Sequence, residues 1–134
     1  MFKFLEKRKV WLVYIPLVLY WIILFTATTL PGPQLPDIHI SDKIEHFSAF
    51  FILSVMLNLA LIYQRKSYIL FKYAAVVTII ICFSYAAIDE LHQMFIPGRF
   101  ADIRDWLADS AGVVIGVFLL NFAKILLNYK VKFE

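Results

Sequence analysis

The chain has 134 residues, 62% of them hydrophobic and 17% charged, with a mean hydropathy of +0.77. Soluble domains hold roughly 45–50% apolar residues, so this composition excludes an ordinary water-soluble core and is expected to form a single membrane domain over residues 1–134. The net charge of +3 and the pI near 9.0 do not point to nucleic acid, because the basic residues flank apolar segments and form no stripe on a soluble face.

Four apolar segments follow in chain order. The first, residues 11–30, is long enough to cross a bilayer. It exceeds the roughly 7–15 apolar residues of a signal peptide, so it is expected to remain as a span, bent at Pro16. The second covers residues 47–63 and can extend upstream as helix to Ser41, where Asp42 and Glu45 have the spacing of a capping box. The third, residues 73–88, is expected to continue as helix to Phe95, until Pro97-Gly98 breaks it. Its Cys82 is the only cysteine, which excludes an intrachain disulfide and a cysteine-based zinc site and leaves a small buried apolar residue. The fourth runs from Ile103 to Leu127, with Asp102 as N-cap and Asp105 in the first turn, where a carboxylate suits the helix dipole. The expected fold class is therefore all-α: a polytopic membrane protein built as a four-transmembrane-helix bundle.

Basic residues set its orientation. Lys3, Lys7, Arg8 and Lys9, then Arg65, Lys66 and Lys72, then Lys124, Lys130 and Lys132 fall on one side; only Lys43, Arg99 and Arg104 fall on the other. By the positive-inside rule both termini are expected in the cytoplasm, with the first and third loops facing outward.

The outward side concentrates the chemistry. It holds Asp37, Asp42, Glu45, Asp89, Glu90, Asp102, Asp105 and Asp109, together with His39, His46 and His92. Ionisable groups at membrane depth are costly and mark working sites or buried networks. Asp102, Asp105, Asp109, Gly112 and Gly116 recur at i, i+3, i+7, i+10 and i+14. At 100° per residue they share a stripe about 80° wide. Gly112 and Gly116 at small-xxx-small spacing permit close helix packing, which turns the carboxylate stripe toward the bundle interior. On the third helix Tyr85, Asp89 and Gln93 share a face, while Glu90 points about 100° away from Asp89. Arg99 follows a Pro-Gly turn and is expected to fold over the cluster, its planar fork suiting a carboxylate or a phosphate.

Several readings stay open on the residues alone. An interhelical network could neutralise Arg99 and Lys43 against Asp89, Asp102 and Asp105. No His-x-x-x-His or Glu-x-x-His pair lies on one helix, so no metal ligand is assigned, although the excess of carboxylates beside histidines leaves room for a divalent cation or a substrate amine. A general acid–base site would draw on Asp89, Glu90 or His92. A transporter or oligomeric channel would need polar groups continuing across the bilayer, and here they are expected to stop near the outward face.

Asp42-Lys43 with His46-Phe47, then Asp89-Glu90 with Gln93, then Pro97-Gly98-Arg99, then Asp102, Asp105, Asp109, Gly112 and Gly116 together resemble the VanZ-like family, over about residues 10–128. The resemblance implies a bacterial, multi-pass plasma-membrane protein. In the family's prototype it implies lowered susceptibility to teicoplanin, a lipid-bearing glycopeptide. It supplies no reaction. Carried over, it puts Asp89, Glu90 and Asp105 forward as candidate catalytic residues. Lys43, His46, Gln93, Arg99, Asp102 and Asp109 become candidate ligand-binding residues, although asparagine is expected at the Asp109 position in many members. The implied partner is a lipid or peptidoglycan-precursor headgroup at the outer leaflet, recognised or modified in an outward polar pocket. A non-catalytic binder that shields the drug's target is the alternative.

Overall fold

The computed structural model describes residues 2–31 and 41–129. All regular structure among them is helical: a short α1 (Phe2–Lys7), the first span α2 (Val10–Thr29), α3 (Asp42–Tyr63), a short α4 (Tyr68–Lys72), α5 (Ala74–Gln93) and α6 (Ile103–Leu126). The four long helices are each long and apolar enough to cross a membrane. Helices α3 and α5 touch each other and both of the other spans, which places α2 and α6 at opposite corners. Side chains such as Ile23, Ile80, Phe118 and Ile125 project outward as a lipid-facing surface.

Local chemistry explains the helix boundaries. The first turns of α2 are π-helical over Val10–Tyr14, ending just before Pro16, with the Ile15 N–H donating to the Val10 carbonyl. Proline lacks an N–H and its ring crowds the carbonyl four residues back, and a wider i→i+5 turn accommodates both. At the start of α3 the capping-box expectation is overturned. The N-cap is Ser41, whose side chain makes no cap bond, and the Asp42 carboxylate turns to Lys43 instead. Helix α5 ends at Gln93, two residues short of the expected Phe95. The Phe95 and Ile96 N–H groups then bond three residues back, and Arg99 N–H bonds the Ile96 carbonyl around Pro97-Gly98. Gly98 has φ 77°, the left-handed region that position i+2 of a type II turn requires. Asp102 is the N-cap of α6 as expected, accepting the Arg104 N–H at 2.8 Å.

The closest packing is between α3 and α6. A Cβ built on Gly112 would overlap the Phe47 carbonyl oxygen, and one on Gly116 would lie 2.8 Å from the Phe51 carbonyl oxygen. The two backbones thus touch through the glycine stripe. Lipid is as apolar as leucine, so helices in a membrane associate through such close van der Waals contact rather than through hydrophobic burial. At the end that holds Phe2 and Tyr129, Lys9 donates to the Tyr63 carbonyl at 2.8 Å, Glu6 pairs with Arg65 and accepts from the Tyr129 hydroxyl, and Phe2 stacks on Tyr129. Both ends of the described chain therefore meet on one face of the bundle.

The interior is more polar than the sequence pattern suggests. Ser54 and Asn58 on α3 and Thr78 on α5 are fully buried, well past the carboxylate end. Ser54 and Thr78 return their hydroxyls to carbonyls of their own helices, while the Asn58 amide has no partner. Polar side chains therefore do not stop near one face, because these small groups occupy interior positions of helices that read as apolar overall.

The glycine seam yields a stability prediction. Gly112→Ala forces α3 and α6 apart and is expected to cost about 1–3 kcal/mol, the usual range for overpacking. Val114→Ala, on the exposed face of α6, should stay within about 0.5 kcal/mol. Denaturant titration of the detergent-solubilised protein measures both, and equal effects would contradict this packing.

Candidate functional site

Above the glycine contact the α3–α6 seam becomes ionic. The helical stripe that presents Gly112 and Gly116 to α3 also presents Asp102, Asp105 and Asp109, and α3 answers with Lys43 and His46, one turn apart. Lys43 pairs with the buried Asp105 and reaches Asp102 at 3.2 Å and Asp42 at 3.1 Å. His46 Nδ1 lies 3.0 Å from Asp109 Oδ1, and its Nε2 lies 3.8 Å from Asp42 Oδ1. Asp109 is fully buried. Asp102 lies at the exposed rim, where the Arg104 N–H, with help from Lys43, holds its carboxyl below the usual carboxylate range.

Helix α5 aims its two neighbouring acids in different directions, as the 100° offset requires. Glu90 turns to α6, where its Oε2 accepts the Asp102 N–H at 2.9 Å. Asp89 turns toward α2 and α3 and accepts from Gln93 Nε2 at 3.1 Å. Gln93 Oε1 in turn accepts from Arg99 Nη1 at 3.4 Å. Arg99 does fold back over the cluster, but not onto a carboxylate. Its other donors reach the Ala27 carbonyl at 2.8 Å and the Leu30 carbonyl at 3.3 Å, at the C-terminal end of α2. Those carbonyls have no partner further along their own helix, and a guanidinium satisfies them.

These groups enclose a cavity of about 180 Å³ between α2, α3 and α5. Its polar lining is Asp42, Glu45, His46, Tyr85, Asp89, Gln93, Arg99 and Thr28; its apolar wall is Leu24, Ala27, Ala49 and Phe50. Of the expected site residues, His46, Asp89, Gln93 and Arg99 line this cleft. Lys43, Asp102, Asp105 and Asp109 lie along the α3–α6 seam, and Glu90 bridges α5 to α6. His92 joins neither group and stacks on Phe25 with ring centroids 5.6 Å apart. Asp37 and His39 lie outside the described residues. Helix α2 supplies the wall that sequence reasoning missed, because it carries no Asp, Glu, Lys, Arg or His between Val10 and Thr29 to draw attention to it.

Lys43 gathers three aspartates at the seam, whereas Arg99 makes no ion pair with any described carboxylate. If Lys43 and Asp105 act as one unit, Lys43→Met and Asp105→Asn will not be additive. A double-mutant cycle on unfolding should give a coupling of roughly 0.5–3 kcal/mol, the range for residues in one salt-bridge network. A coupling near zero would remove the pair from the helix-pairing account.

No curated protein and no solved structure gives a significant match to the chain. The model of the VanZ/LLP1 family matches residues 10–125, from the first turn of α2 almost to the end of α6 and across both the seam and the cleft. The chain is thus a four-helix membrane protein that belongs to the VanZ/LLP1 family.

Proposed function

We propose that this VanZ-like protein lies in the bacterial plasma membrane with both termini in the cytoplasm. Its carboxylate end then faces outward, and the cleft between α2, α3 and α5 recognises or acts on a cell-envelope component, a lipid or peptidoglycan-precursor headgroup. The observation that carries this reading is Arg99. It makes no ion pair with any described carboxylate, and it sits at the rim of a cleft with one apolar and one polar wall. An anionic headgroup supplies the missing charge, with the bidentate geometry that a guanidinium favours. Asp89, held by Gln93, is the candidate for positioning or protonating the ligand. Asp105 does not line the cleft, and its partner is Lys43.

Size narrows the ligand. The cavity, at about 180 Å³, is well below the roughly 300–1,000 Å³ of a drug-sized pocket. It suits a headgroup and not an entire glycopeptide. Lowered teicoplanin susceptibility, the activity associated with the family's prototype, would therefore act through the envelope component rather than through capture of the drug. A non-catalytic binder or shield is the second reading, and the Lys43 bridge to three aspartates favours it, since that part of the cluster serves helix pairing.

The test is teicoplanin susceptibility of a sensitive Gram-positive host expressing the chain, with lipid and cell-wall precursor profiles taken in parallel. Wild type should protect. Arg99→Ala at equal abundance should lose protection, because a charge-assisted hydrogen bond worth about 1.5–3 kcal/mol corresponds to a roughly ten- to hundred-fold loss of headgroup affinity. Full protection by Arg99→Ala would refute the cleft assignment. A new lipid or precursor species would favour turnover over shielding.

A further inference from the structure

Three buried acids at the carboxylate end, Asp89, Glu90 and Asp109, are not served by a lysine or arginine. Lys43 is committed to Asp42, Asp102 and Asp105, and Arg99 to carbonyls and Gln93. The sequence from Gly32 to Ile40 adds Asp37 and His39 and no lysine or arginine. Glu90 and Asp109 each keep one oxygen, Oε1 and Oδ2, that is buried and has no hydrogen-bond partner. Glu90 is 6% exposed and Asp109 0%. An unpartnered carboxylate oxygen in a low-dielectric interior is costly, and it calls for a proton or a cation.

The two acids meet at His46. One ligand atom from each of His46, Glu90 and Asp109 lies within 4.8 Å of the other two. The residues come from α3, α5 and α6, so they converge from three helices on one point. Ligands about 2.0–2.2 Å from one tetrahedral ion lie roughly 3.3–3.6 Å apart, so closing the set takes side-chain shifts of about an ångström. A second candidate set, Asp42, His46 and Asp105, is less suited, because Lys43 already pairs with both of its acids and Asp42 is exposed.

We propose that His46, Glu90 and Asp109 bind one divalent transition-metal ion of the zinc or manganese type. Two carboxylates balance its charge, and mixed imidazole and carboxylate donors suit such ions better than calcium or magnesium, which favour all-oxygen shells. Three protein ligands leave a further position open, as in catalytic rather than structural sites. His46 is also a wall of the cleft, so that position adjoins the cavity where the headgroup is proposed to bind. The ion would fasten α5 to the α3–α6 seam. The inference goes beyond the headgroup reading, and each stands or falls alone, because the ion is read as metal content and not as protection.

The experiment uses the full chain purified in detergent, stripped with a chelator, and titrated with Zn²⁺ and with Mn²⁺ while bound metal is measured by elemental analysis. Wild type and Asp42→Asn should each hold one ion per chain. Glu90→Gln and Asp109→Asn should bind at least roughly 100-fold more weakly, since even residues that only support ligands cost 10–100-fold when changed. Gel filtration and thermal melting establish which variants are folded, and either of the two ligand variants suffices. Absence of stoichiometric metal in folded wild type overturns the proposal. So does unchanged binding in folded Glu90→Gln or Asp109→Asn, or loss in Asp42→Asn with retention in Glu90→Gln.

Discussion

Where α3 and α6 cross at Gly112 and Gly116 their backbones touch, and that contact sets the rest of the carboxylate end. Two rods held together at one point on a shared stripe must also meet one and two turns further along it. The next positions on α6 are Asp109, Asp105 and Asp102, and those on α3 are His46 and Lys43. Glycine packing therefore brings a basic stripe against an acidic one at a separation where the groups have to pair. The order is physically sensible. Deepest is the imidazole–carboxylate pair of His46 and Asp109; nearer the rim is Lys43, with its exposed ammonium among three aspartates. Buried pairs add little net stability but penalise every register in which one partner is left alone. The seam thus fixes which way α6 faces, and with it which way Glu90 must reach to meet the N-terminus of α6.

This division leaves two kinds of polar group. At the seam Lys43 draws Asp42, Asp102 and Asp105 together, one positive charge among three carboxylates. Around His46 lie the others, Asp89, Gln93 and Arg99 toward the cleft and Glu90 and Asp109 toward α6; of these, Glu90 and Asp109 each keep one buried oxygen without a partner. Arg99 carries a positive charge with only carbonyl and amide partners; Glu90 and Asp109 carry carboxylate oxygens with none. On the two proposals made above, Arg99 meets an anion and the His46 cluster a cation. The anion at Arg99 and the cation at His46 would sit on either side of the same imidazole.

Much of this was legible in the residues. The four spans follow from apolar run lengths, the α6 cap from Asp102 ahead of a periodic segment, and the inward turn of the carboxylate stripe from its phase with Gly112 and Gly116. The misses have physical reasons. Pro97 and Gly98 act upstream of themselves, so α5 stops at Gln93 and not at Phe95. Asp42 has the spacing of a cap partner, but Lys43 outbids the backbone for its carboxylate. The target of Arg99 is the end of α2, a segment about 70 residues earlier with no acidic or basic residue to advertise it. Convergence of His46, Glu90 and Asp109 was hidden because metal spacing was sought within single helices, and each of these residues stands on a different one.

Which side of the membrane the carboxylate end faces decides whether its cleft can meet an envelope headgroup at all. The direct measurement is labelling of single cysteines by a membrane-impermeant maleimide, with the buried Cys82 replaced by alanine. Ser41 and Lys66 are exposed at opposite ends of α3, and the Ser41 side chain makes no cap bond that its replacement would break. Ser41→Cys should be labelled in intact cells, and Lys66→Cys only after permeabilisation. The reverse pattern would put the acids and Arg99 in the cytoplasm and contradict the outward-facing site.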